Sequence, residues 1–193
     1  MELDGRAALV VVDVQNDFAD PNGGLYVRGG EEIVPTVNGL VAEALAAGAL
    51  VAYTQDWHPP STPHFAKDGG VWPVHCVKDT WGAALHPDLA VAGPVVRKGS
   101  DGEDGYSGFY ERDVDTGEDR PTALHGLLAE RGVERVVVVG LAQDVCVKAT
   151  ALDAQRLGYA TTVPLEATRP VNLEDGDADR ANDELRAAGV TLA

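Results

Sequence analysis

The stretch QDWHPPSTPH, residues 55–64, sets an acid, an indole and two imidazoles among three prolines. Asp56 and His58 alternate at the end of a hydrophobic run, so both side chains can face the same way. His64 lies six residues on, and His75 follows in WPVHC. Three of the chain's five histidines thus fall within residues 58–75, just behind an acid. Asp plus three His suits Zn²⁺, Fe²⁺ or Mn²⁺, with water completing the shell. The bland alternative is a rigid polar loop whose histidines only hydrogen-bond. His86 and His125 lie outside the cluster and read as structural or surface residues.

Three further residues invite chemistry through their positions. Asp13 closes the run ALVVVDV, where the alternative is an acid capping the next turn. Lys98 closes PVVRK, where an exposed lysine would be unremarkable on its own. Cys146 follows RVVVVG in VVVVGLAQDVCVKATALDA, an order of strand, short turn, cysteine and helix. A thiol in the first turn of a helix is drawn towards thiolate by the dipole and free amides, although a buried core cysteine is the plainer reading. Brought together, a thiol, an ammonium and a carboxylate can carry out nucleophilic attack and move its proton. Backbone N–H groups of the LAQDVC turn could receive the oxyanion. Cys76 lies in a long loop with no helix behind it and reads as a small buried hydrophobe. Trp57, Trp72 and Trp81 crowd the same region, with Phe18 and Tyr106 as candidate neighbours. Trp72 is the best placed to stack on a planar ring.

These residues need a frame to bring them to one rim. Continuous β-branched runs predict buried parallel strands at 8–14, 49–54, 94–97 and 135–140, with weaker ones at 159–163 and 190–192. Apolar periodicity, acidic starts and glycine stops predict helices at 31–47, 122–131, 145–157 and 173–188. Strands alternating with helices argue for a doubly wound α/β sheet, whose sites form at the carboxyl ends of the strands. The spans 55–93 and 99–120 resist assignment, and loops of that length usually serve function. No repeat or linker divides the 193 residues, which predicts a single domain over 1–193.

Charge and composition exclude several classes. Thirty-one acids against 15 bases leave a net charge of −16, which repels nucleic acid and anionic membrane. No apolar run approaches a bilayer span, and the N-terminus lacks a signal-peptide pattern. Two cysteines fit a reducing compartment, so a cytoplasmic protein is expected. Neither GxGxxG nor a P-loop follows any strand.

The motifs VVVDVQNDF, GGLYVRGG, QDWHPPSTPHF, GVWPVHCVKDTWGAALHP, RKGSDGEDGYSGF and VGLAQDVCVKATALDA, with EATRPV further on, resemble those of nicotinamidases in the isochorismatase-like hydrolase superfamily. The resemblance runs in order over most of the chain. It implies a six-stranded parallel sheet in the order 3-2-1-4-5-6 and hydrolysis of nicotinamide, with pyrazinamide as a second substrate. It implies Asp13, Lys98 and Cys146 as the catalytic set, one divalent metal on Asp56, His58, His64 and His75, and Phe18, Trp72 and Tyr106 against the substrate. It also implies a cis peptide between Leu141 and Ala142, an oxyanion site at the N–H groups of Ala142 and Cys146, and a possible homo-oligomer. The chain departs from the family pattern at Gln143, where threonine is common, and in a slightly longer 98–106 segment.

Overall fold

In a computed structural model, residues 2–101 and 105–193 are described. The centre of the RKGSDGEDGYSGF motif, 102–104, lies outside them. In chain order the elements are β1 (Ala7–Val12), α1 (Asn16–Ala19), α2 (Val34–Ala46), β2 (Leu50–Asp56), β3 (Val95–Lys98), β4 (Tyr110–Arg112), β5 (Asp119–Pro121), α3 (Ala123–Glu130), β6 (Arg135–Leu141), α4 (Lys148–Arg156), β7 (Ala160–Val163), β8 (Thr168–Arg169), α5 (Asp177–Ala187) and β9 (Thr191–Leu192).

The strands of the main sheet run in the order β3-β2-β1-β6-β7-β9, every pair parallel. Counting only these six in chain order gives the expected 3-2-1-4-5-6. The sheet nevertheless has seven strands rather than six, because the two-residue β8 pairs with the end of β6 through Gly140 and Leu141. A separate antiparallel hairpin, β4–β5, goes beyond the sequence-based expectation. Its strands are three residues each and largely exposed, so no buried run announces them.

β1 reads AALVVV, and all six residues are buried, because helices cover both sheet faces. Ala7, Leu9 and Val11 face Val37, Val41 and Ala44 of α2. Ala8, Val10 and Val12 face Leu124 and Leu128 of α3, Ala151 and Ala154 of α4 and Leu185 of α5. Each buried Val or Leu stabilises this arrangement by about 1.5–3 kcal/mol relative to exposure. Among the described residues, no helix is long and apolar enough to cross a membrane.

Strand order reverses between β1 and β6, which makes their carboxyl ends the switch point where such sheets bind ligands. Asp13 and Cys146 lie just beyond those two ends. The turn after β6 depends on Gly140, whose φ of 113° and close approach to the Val12 carbonyl leave no room for a Cβ. One expected helix is shorter than predicted: α5 starts at Asp177, not Leu173. Positive φ at Asn172 and Gly176 breaks the preceding acidic segment, and the Asp144 carboxylate accepts the Val171 and Asn172 N–H groups.

Candidate active site

Three strand ends meet around one ammonium. Lys98, at the end of β3, is buried and directs Nζ at three groups. Asp13 Oδ2 lies 2.9 Å away, Asp56 Oδ1 is in direct contact and Cys146 Sγ is 3.8 Å away. Asp13 holds a positive φ of 49°, an uncommon conformation for a residue with a Cβ, and one that concentrates at functional sites. The hydroxyl of Thr54 on β2 donates to Asp13 Oδ1 at 2.6 Å, which leaves Oδ2 to face the ammonium. Carboxylate oxygens of Asp13 and Asp56 and the Cys146 sulfur all lie within 4.8 Å of one another.

Charge follows from this packing. Burial raises the Asp13 carboxyl above its ordinary range, and the Asp56 charge adds to the effect, while Lys98 opposes it. Asp56 goes the other way: burial would raise it, but Lys98 and then His58 hold it below the usual carboxylate range. Lys98 is held well above its ordinary value, because Asp13, Asp56 and Cys146 outweigh its desolvation. Burial pushes the Cys146 thiol well up, and Lys98 only partly offsets this. A helix start alone favours a thiolate here; burial and the neighbouring carboxylates act against it. The segment Gln143–Val147 is wound as a π-turn ahead of α4 and buries the sulfur.

The second group comes from the loop after β2. Nitrogen atoms of His58, His64 and His75 lie within 4.8 Å of one another, and all three residues are buried. The rings surround Phe65, at centroid distances of 5.6, 6.1 and 5.4 Å. Pro73 O accepts from His75 Nδ1 at 2.7 Å, which leaves Nε2 as the lone-pair nitrogen. Burial lowers His75 to about 4, so it is neutral near pH 7. Both ring nitrogens of His58 are buried without a hydrogen-bond partner, and Asp56 Oδ2 lies 3.6 Å from its Nε2. Orphaned buried nitrogens are costly, and a cation on this imidazole set would satisfy one of the two on His58. The donor set therefore fits a divalent metal. Asp56 faces both groups, Oδ1 towards Lys98 and Oδ2 towards His58.

The loop closes by short contacts. Trp72 O accepts from Ala66 N at 2.7 Å, and Gly70 packs so tightly on the Pro63 and His64 carbonyls that a Cβ would collide. The Asp17 carboxylate accepts from Cys76 N at 2.6 Å and Gly24 N at 2.8 Å, pinning the chain beside His75.

Beside the two groups lies a pocket of about 340 Å³ of empty space, solvent mouth included. Phe18, Trp72 and Tyr106 line it, as expected, together with Ala142, Val145 and Cys146 at one end and Asp56, His64 and His75 at the other. Trp72 Nε1 donates to the Tyr106 hydroxyl at 3.0 Å, which fixes the two rings at 76° to each other. The peptide between Leu141 and Ala142 is cis, as the motif implies.

Other expectations are also answered here. Cys76 is a buried core residue, and burial raises its thiol. His125 Nδ1 pairs with the Tyr159 hydroxyl at 3.0 Å, and His86 Nδ1 accepts from Asp88 N, both away from the pocket. Trp57 stacks under the Arg97 guanidinium at 3.9 Å, and Trp81 is exposed. Sequence reasoning missed Thr54, Phe65, Asp17 and Gln15. Of these, only Phe65 carried a signal, as the residue directly behind His64.

A doubly wound parallel sheet with a thiol, an ammonium and carboxylates at its switch point defines a cysteine hydrolase built on an open α/β sheet. The chain belongs to the isochorismatase family, whose domain matches residues 7–193. The nicotinamidase of Escherichia coli (strain K12) is 38% identical over 204 residues, covering 96% of this chain and 93% of its own. A pyrazinamidase of Pyrococcus horikoshii in complex with zinc superimposes with a TM-score of 0.85 at 35% identity, over 97% of this chain and 98% of its own. PnC1 of L. infantum in complex with nicotinate gives a TM-score of 0.88 at 36% identity, over 100% and 95%.

Proposed function

We propose that this chain hydrolyses nicotinamide to nicotinate and ammonia, and pyrazinamide in the same way, as a metal-dependent cysteine amidohydrolase. One observation carries the reading. Cys146 of the thiol–ammonium–carboxylate cluster and His64 and His75 of the imidazole cluster line one pocket, walled by aromatic rings. A flat heteroaromatic amide needs those two ends, one for its carboxamide and one for its ring nitrogen.

His58, His64, His75 and Asp56 would hold one divalent cation: zinc, iron or manganese. When bound, it supplies a Lewis-acid contact that fixes the substrate ring. Trp72 and Phe18 pack on the ring, and Tyr106 braces Trp72. Asp13 takes the proton of the Cys146 thiol as the sulfur forms a bond to the carboxamide carbon. N–H groups of Ala142 and Cys146 receive the oxyanion. Asp13 returns the proton to the nitrogen as the C–N bond breaks, releasing ammonia and leaving a thioester. Water then adds to the acyl carbon, with Asp13 taking its proton, and nicotinate leaves as the thiol is restored. Lys98 balances the negative charge of these states. The raised carboxyl of Asp13 suits a group that both accepts and donates the proton.

Among the described residues lining the pocket, none is Arg or Lys. The reading includes a cytoplasmic location, supported by two free, buried cysteines. The test is ammonia release from nicotinamide, lost on chelation and restored by one of the three metals. No release from the metal-loaded protein, or release indifferent to a strong chelator, overturns the reading.

A further inference from the structure

The ladder between β1 and β2 pairs Val11 with Tyr53 as its last full partners. Beyond that, Asp13 N reaches Thr54 O at 3.3 Å, and the positive φ of Asp13 turns the chain away. β2 nonetheless continues to Asp56, and Asp56 must be aimed closely, since one carboxylate serves Lys98 and faces His58. Strand β1 offers no backbone groups at that level.

The Gln15 side chain stands in their place. It is fully buried. Its Oε1 accepts the Asp56 N–H at 2.8 Å, and its Nε2 donates to the Asp56 carbonyl at 2.8 Å. The second hydrogen of Nε2 goes to Ala83 O at 2.9 Å. An acceptor facing an N–H and a donor facing two carbonyls leave a single orientation for the amide. One side chain thus replaces both ladder bonds of a missing strand residue and ties in a third segment. The residues that follow are fixed by backbone: Trp57 N donates to Lys98 O at 2.9 Å and His58 N to Cys76 O at 2.9 Å. Gln15 is the only side chain among the described residues that holds the Asp56 backbone on both its N–H and C=O sides.

We propose that Gln15 is a positioning residue that sets the aim of the Asp56–His58 pair toward the cation, without itself touching metal or substrate. The inference rests on the metal reading given under Proposed function. It gives a defined role to a polar residue that has no place in the reaction, because the Gln15 amide acts as a surrogate strand.

The experiment is Co²⁺ titration of the metal-free full-length protein, read by the visible d–d bands and by competition with a chromophoric chelator, alongside thermal melts without metal. Gln15→Met keeps the length of the side chain and removes all three hydrogen bonds. It should weaken Co²⁺ binding about 10- to 100-fold, the usual effect of losing a group that orients a ligand, and should shift the d–d bands. Gln15→Glu keeps the acceptor for Asp56 N–H and serves if the methionine variant does not fold; at least about a threefold weaker Kd is expected. A variant that melts at a lower temperature but binds Co²⁺ with the wild-type Kd and spectrum shows a merely structural role and overturns the proposal. Wild-type protein that fails to bind Co²⁺ would instead sink the metal reading, so the two failures are distinct.

Discussion

Lys98 and Asp56 form a buried ion pair that joins the sulfur corner of the pocket to the imidazole corner. Among the described residues, Asp56 is the acid whose oxygens face both corners, and the Lys98 ammonium is the cation that touches both carboxylates.

Removing that ammonium leaves two buried carboxylates facing each other. Lys98→Met is expected to lower the stability of the metal-free protein by about 3–5 kcal/mol, the usual cost of stranding a buried charge. Urea unfolding at pH 7 measures it. A loss under about 1 kcal/mol would mean that the two acids are already neutral.

Cys146→Ala should cut ammonia release from nicotinamide by at least about 10⁴-fold, because no other group takes the place of the bond-forming sulfur. The thermal midpoint should stay near that of the wild type. Persistent turnover in this variant rules out the nucleophile assignment.

Asp13→Asn keeps the shape of the side chain and removes the proton acceptor. A kcat loss of about 10²–10⁴-fold is expected, with KM much less affected. A variant with wild-type kcat would move the proton-transfer role elsewhere.

The pH dependence of stability has a defined sign. His75 sits at about 4 in the folded protein, below its unfolded value near 6.5. Between those values the unfolded chain binds more protons. Stability is therefore complete above about pH 6.5 and falls as pH drops towards 4, by up to about 3 kcal/mol. The raised carboxyl of Asp13 contributes with the opposite sign, so the difference between wild type and His75→Gln is the readout. Parallel urea midpoints for the two proteins across this window would refute the assignment.

Trp72→Leu removes an aromatic wall and its bond to Tyr106. KM for nicotinamide should rise about 2- to 10-fold, the range expected from lost ring stacking. An unchanged KM would place the ring elsewhere in the pocket.

The chain makes most of this frame visible before any coordinates. The β-branched runs mark six strands, most clearly β1 and β6, which are buried on both faces and apolar almost throughout. Asp13 and Lys98 stand out because each closes such a run, and Cys146 because it follows one after a short turn. The histidines stand out by number and spacing. What stays hidden has physical reasons. Gln15 lies inside the VVVDVQNDF motif, but its role is set by a backbone 41 residues away, which no local pattern reveals. The β4–β5 hairpin has no buried face to set a period. How far burial raises the Cys146 thiol depends on how deeply the turn packs, and a helix start alone pulls the other way. Asp144 captures two amides ahead of the predicted helix at 173–188 and so delays its start, a contact between segments 27 and 28 residues apart.

The imidazoles all come from one excursion between β2 and β3, while the sulfur, the ammonium and Asp13 are each fixed by a different strand of the sheet. The two halves of the pocket thus come from separate parts of the chain and meet at Asp56. A few changes within that excursion can retune or discard the ion without disturbing the sulfur. A change at the sheet rim, by contrast, disables the reaction whatever the loop still binds.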